Sequence, residues 1–167
     1  MRHLIVDGYN VLLADPRYAA LAEADIDTAR ARLVEDVAMY AAAETHAFVV
    51  FDAGGNPASD GRPHHVAGVA IVFSPSGADA DSVIESLAHR FRAEGHEVVV
   101  ATSDAATQNA VMGAGAVRMS SAELTRELAE AAEETRRTRR VGTAAGRLED
   151  RIDPRVRDVL WHWARGL

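Results

Sequence analysis

The chain is punctuated by continuous apolar runs, not alternating ones. They fall at HLIV (3–6), HAFVVF (46–51), VAGVAIVF (66–73) and EVVVA (97–101), with a short AVRM (116–119) after them. Strands apolar on both sides are covered on both faces, as in a parallel sheet. Between the runs the period becomes helical. Residues 27–43 put Ala29, Leu33, Val37 and Tyr40 on one side, and 79–93 do the same with Val83, Ile84, Leu87, Ala88 and Phe91. A shorter helix is expected over 104–112. From Ser120 a long helix opens on a capping signal, Ser120 followed three residues later by Glu123. A last helix is expected near Pro154, presenting Val156, Val159, Leu160 and Trp163; only one of Trp161 and Trp163 can face inward from it. Strands alternating with helices predict an α/β fold, a three-layer α/β/α sandwich with a mostly parallel sheet. The Gly- and Pro-rich connection AGGNPASDGRPHH reads as an exposed loop with little helix, and 141–150 as a flexible connector.

Length and composition set the frame. The 167 residues fit one domain, 1–167, with a basic helical segment from about 120. Cysteine is absent, which excludes disulfides, thiolate zinc sites and cysteine nucleophiles. All 18 basic residues are arginine, so mechanisms that need lysine, P-loop phosphate binding and Schiff-base chemistry among them, are excluded too. The opening MRHLIVDGYN has only a four-residue apolar run after one arginine, short of a signal-peptide core. No stretch approaches the ~18 apolar residues of a membrane span. A cytoplasmic protein is expected.

Charge is unevenly spread. The net charge is −7, yet residues 136–157 carry 8 arginines and only 3 acids. An acidic body with a locally basic segment can still meet a polyanion.

The chemistry lies where the strands end. In parallel α/β sheets, ligands bind beyond the carboxyl ends of the strands. Strand one ends in Asp7, strand two in Asp52, and strand four in Thr102, Ser103 and Asp104; Asp79 and Asp81 open the helix after strand three. Each has an ordinary explanation as a turn or helix cap. Together they repel, and they stay ionised only beside a cation or hydrogen-bond donors. Oxygen ligands without cysteine or clustered histidine suit Mg²⁺ or Mn²⁺. Asp81 is the expected ligand and Asp79 the cap or outer acid. Glu85, four residues from Asp81, shares its helix face and either reaches the cleft or is solvated. Dinucleotide and Walker motifs are absent, and Ser103 has no partner histidine.

Taken together, LIVDGYNVL, VVFDA, ADSVIESLA, VVVATSDAATQ and GAGAVRMSSAEL resemble the YacP-like NYN domain family, a branch of the PIN-like nucleases. The likeness runs from about residue 3 to 140. It implies a PIN-like α/β/α fold and metal-dependent endoribonuclease activity, with metal-activated water attack on RNA. By position it makes Asp7, Asp81 and Asp104 the catalytic and metal-binding acids. Asn10 and Asp52 occupy adjacent motif slots, and Ser103 supports Asp104. Asn10 would hydrogen-bond a ligand carboxylate or a phosphate oxygen, or cap the helix start. Tyr9 is expected to pack below the sheet edge.

Arg136, Arg137, Arg139 and Arg140 crowd the end of the long helix. Cations favour a helix C-terminus, but four exceed what a cap needs, and a surface for RNA phosphates is expected. The expected partners are RNA, mRNA in the first place, and the ribosome. His64 and His65 read as exposed-loop residues that can touch substrate. The competing functions are a non-catalytic module docking on RNA or the ribosome through the basic helix, and a small-molecule phosphohydrolase.

Overall fold

The computed structural model describes residues 1–41, 44–142 and 154–165. Strands β1 (Arg2–Asp7), β2 (Thr45–Phe51), β3 (His64–Val66), β4 (Val69–Phe73), β5 (Glu97–Ala101) and β6 (Val117–Met119) form one sheet in the order β3-β4-β2-β1-β5-β6. All neighbouring pairs are parallel except β3 with β4. The helices are α1 (Gly8–Ala14), α2 (Pro16–Ala24), α3 (Ile26–Ala41), α4 (Ala80–Ala93), α5 (Ala105–Gly113), α6 (Ser121–Gly142) and α7 (Pro154–Arg165).

The two faces of the sheet build two cores. Leu4, Val6, Val49, Phe51, Ile71 and Phe73 point to one side and pack with Val34, Val37, Leu124, Leu128 and Leu160 from α3, α6 and α7. Ile5, Val50, Val72, Val98 and Val100 point to the other and meet Ile84, Ala88, Phe91 and Val111 from α4 and α5. The expected three layers are present, and the alternation of a pleated strand sorts one continuous apolar run between two cores.

One expectation changes, and two details are added. The run 66–73 is not one strand. Ala67 and Gly68 adopt φ of 52° and 83°, the left-handed region that reverses a chain, and the antiparallel hairpin β3–β4 results. Residues 8–24 hold two helices that no strong apolar period announces. They are short and divided at Asp15–Pro16, where Asp15 caps α2 through the Arg17 N–H at 2.8 Å and Pro16 takes the first helical position. Trp161 is partly exposed, and the Trp163 side chain and most of the 141–150 connector lie outside the described residues.

Candidate active site

Asp7 closes β1, a central strand, and is 7% exposed. The chain turns at once into α1 through Gly8, where the backbone passes against β2. A Cβ at Gly8 would overlap the Phe51 ring and come within 2.9 Å of the Val50 carbonyl oxygen. Glycine is required here by close approach, which is why the buried strand can deliver a carboxylate straight onto a helix start.

Thr102, wholly buried just past β5, links two of the acids. Its hydroxyl donates to Asp7 Oδ2 at 2.9 Å and accepts the Asp104 N–H at 3.1 Å. Its backbone is fixed as well, the N–H on the Met119 carbonyl at 3.0 Å and the carbonyl under Gln108 Nε2 at 2.6 Å. Asp104 caps α5 by accepting the Thr107 N–H at 2.8 Å. Asp81 lies in the first turn of α4, behind Asp79, which caps that helix through the Ser82 N–H at 2.8 Å.

Asp7 feels the charge of the other two acids. Burial pushes the Asp7 carboxyl above the usual range, and the charges of Asp81 and Asp104 push it further; the Thr102 hydroxyl and the backbone N–H of Asn10 pull it back. Asp104 moves the other way, held down by the Thr107 backbone N–H. The fold thus joins a reluctant, buried carboxylate to a stabilised, ionised one.

The remaining expected residues divide. Asn10 neither caps a helix nor faces outward: its Oδ1 accepts the Ser103 N–H at 2.8 Å and the Ser121 hydroxyl at 2.5 Å. Ser103 does not touch Asp104 with its side chain; its Oγ accepts the Ser121 N–H at 3.1 Å. The support expected from Ser103 comes from Thr102, and Ser121, at the start of α6, was not singled out by the sequence. Asp52 sits one strand away from Asp7, its Oδ1 accepting the Gly54 N–H at 2.7 Å. It lines a separate cavity of about 350 Å³ with Tyr9 and Arg30. Glu85, half-buried one turn beyond Asp81, is not among the principal charges acting on Asp7. Tyr9 packs against Phe51, ring centroids 5.2 Å apart, as expected.

Arg136, Arg137, Arg139 and Arg140 are exposed on α6. Arg136 and Arg137 lie 3.9 and 3.6 Å from Glu133, surface pairs that hold an arginine only weakly. At 1.5 Å per residue, Arg136 is about 22 Å along the helix from Ser121. A larger cavity of about 410 Å³, between the 60–63 loop and α4, contains none of Asp7, Asp81 and Asp104.

No helix among the described residues is long and apolar enough to cross a membrane. The family model of the YacP-like NYN domain matches residues 4–165. The uncharacterized protein YacP of Bacillus subtilis (strain 168) is 34% identical over 135 residues, 75% of this chain and 74% of that protein. A crystal structure of Rae1 (YacP) from Bacillus subtilis superposes with a TM-score of 0.71 at 31% identity, covering 99% of this chain and 96% of the other. A second, of a tryptophan-to-leucine mutant, gives 0.71 at 29% over 98% and 92%. With the family model matched over nearly the whole chain, a relative 34% identical and the same fold, the chain belongs to the YacP-like NYN domain family, within a superfamily of nucleases.

Proposed function

We propose that the protein is a divalent-metal-dependent endoribonuclease acting at Asp7, Asp81 and Asp104. The observation that carries this reading is that Asp81 and Asp104, from two other elements, crowd their charge on the buried Asp7 carboxyl, which the Thr102 hydroxyl ties to the Asp104 backbone. Carboxylates held against their own repulsion are a site for positive charge.

The donors fit a hard ion. They are oxygens only, with the Thr102 hydroxyl behind them. Among the described residues no group of three or more His, Asp or Glu side chains is close enough to hold a metal ion by itself. Mg²⁺ is commonly bound by one or two carboxylates and several waters, and a site of that kind is the one proposed for Mg²⁺ or Mn²⁺. When bound, the ion would lower the pKa of a water and offset charge on the phosphate. The chain's own residues do the rest. Asp104, kept ionised by the backbone N–H groups at the start of α5, presents a fixed negative charge, and the Thr102 hydroxyl orients Asp7. Asn10 braces α1 against the start of α6, so the edge is rigid before substrate arrives. The arginines at the far end of α6 would take RNA phosphates.

Water, not the ribose 2′-hydroxyl, is the expected nucleophile. His3 and His46 pair in register near the start of their strands, at the opposite end of β1 from Asp7, and His96 packs beside them. The test is incubation of the purified protein with a mixed RNA pool, with and without Mg²⁺ or Mn²⁺, followed by end-mapping. Internal cuts leaving 5′-phosphate and 3′-hydroxyl ends are expected. Products with 2′,3′-cyclic phosphate, or full activity in EDTA, would overturn the mechanism. RNA binding without cutting under either ion would favour a docking module instead.

A further inference from the structure

The cavity beside Asp52 is not used by the chemistry above. It lies at the same edge of the sheet as Asp7, one strand over, between the residue after α1 begins (Tyr9), the end of β4 (Phe73) and the loop carrying Asp52, Gly54 and Asn56. Arg30 of α3 lines it and is 9% exposed. The guanidinium stands over the Tyr9, Phe51 and Phe73 rings at 5.2, 5.8 and 5.9 Å. It pairs with Asp27 at 2.7 Å and donates to the Tyr9 hydroxyl.

These facts restrict what can enter. Asp27 already balances Arg30, so the net charge lining the cavity is that of Asp52, and a backbone phosphate is repelled. The walls include the half-buried Tyr9 ring, with the buried Phe73 and the Arg30 guanidinium behind it, apolar surface that an unstacked base can lie against. About 350 Å³ is the size of a small-ligand pocket and accommodates one base with part of its sugar. The polar groups come in two kinds. Asp52 offers acceptors only; Oδ1 takes the Gly54 N–H and Oδ2 has no partner among the described residues. The Tyr9 hydroxyl already accepts from Arg30, so its own hydrogen is left to donate.

We propose that this cavity binds a guanine base of RNA next to the cleaved phosphodiester, with Asp52 as the specificity-determining residue. Guanine alone among the four bases presents two adjacent N–H donors, N1–H and the 2-amino group, to one carboxylate, with the O6 acceptor beside them for Tyr9. Adenine turns an unprotonated nitrogen towards that carboxylate, uracil has a single N–H, and cytosine a single amino group. The inference rests on the reading of the chain as a nuclease acting on RNA, and its test separates the two.

Metal-free full-length protein is titrated into labelled r(UUUGUUU), r(UUUUUUU) and the same heptamer with inosine in place of guanine. Wild type is expected to bind the guanine oligomer about tenfold or more tighter than the all-uridine one. Inosine, lacking the 2-amino donor, is expected to fall between. Asp52→Asn, a change in a partly exposed loop, is expected to bind all three alike while its melting temperature stays close to wild type. Equal binding of the three by wild type, or a guanine preference that survives in Asp52→Asn, would overturn the pocket. End-mapping with Mg²⁺ adds the second arm: guanine at a fixed position beside the cut in wild type, lost in Asp52→Asn. Absence of cutting under any divalent ion would refute the nuclease reading, while the binding arm still decides the pocket.

Discussion

Replacing Thr102 by valine removes one hydroxyl and almost nothing else. Valine matches threonine in shape, the site is fully buried, and the backbone there is pinned by Met119 and Gln108. What disappears is the 2.9 Å bond to Asp7 and the acceptor for the Asp104 N–H at 3.1 Å. A hydrogen bond to a charged group contributes about 1.5–3 kcal/mol. For a chain of this length each kcal/mol moves the melting temperature by about 2–4 °C, so Thr102→Val should melt about 3–12 °C below wild type near neutral pH. Thr102→Ser keeps the hydroxyl and loses a methyl, which costs about 0.8 kcal/mol of burial. The loss in Thr102→Val is also pH-dependent. Asp7 already has a raised pKa in the fold, and the Thr102 bond is one of the effects restraining it. Without that bond the folded pKa climbs further, so the folded variant takes up its proton at a higher pH than folded wild type does. The gap between the two is then full above that pKa and narrows as pH falls through it. Thermal and urea denaturation of the metal-free proteins from pH 8 to pH 4 measures this. A valine variant as stable as wild type, or a serine variant that loses as much, would refute the account of Thr102.

Two other expectations follow from the same charges. Asp7→Asn removes a carboxylate whose raised pKa makes its charged form unfavourable in the fold, so relative to wild type the metal-free variant should gain stability as pH rises from 4 to 7; it should also lose the rise in melting temperature that Mg²⁺ or Mn²⁺ gives wild type, and an unchanged metal response would remove Asp7 from the site. Neutralising Arg136, Arg137, Arg139 and Arg140 to glutamine should weaken RNA binding and reduce the log–log salt slope by up to about 2.8, at about 0.7 per phosphate contact on single strands. Cutting of saturating RNA should persist, and an unchanged slope would leave the cluster as a helix end only.

Much of the architecture could be read in the chain because buried parallel strands leave a plain mark, and a covered helix face repeats at its own period. The hairpin at 66–73 was hidden because its turn is made by Ala67 and Gly68, two small residues inside an apolar run. Helices α1 and α2 were hidden because each is shorter than three turns and ends near a proline or an aspartate cap, so no period develops. The site shows the same division. A carboxylate after a strand is a local fact, so Asp7, Asp52, Asp79, Asp81 and Asp104 stand out together in the chain; the family resemblance is what sets Asp7, Asp81 and Asp104 apart from the rest. Their supports are not local. Thr102 bonds to Asp7, 95 positions away, and Ser121 to Asn10, 111 away, and nothing in the neighbourhood of Asn10 tells that its side-chain amide meets Ser103 and Ser121. Arg30 is similarly silent: an arginine in an ordinary helix, found to be buried under three aromatic rings only once α3 is laid on the sheet.

The brace between Asn10 and Ser121 sets an order of events in synthesis. The first strand is made early, yet its carboxylate waits for β5 to supply Thr102, and α1 waits longer still for the residue that opens α6. Contacts closed over about a hundred residues form slowly, since the entropy of a long loop is lost before they repay it. A growing chain that has emerged only as far as α4 has two of the three acids and neither of these supports. The edge that carries Asp7 and Asp104 is therefore among the last parts to become rigid, after most of the sheet and its first helices have formed.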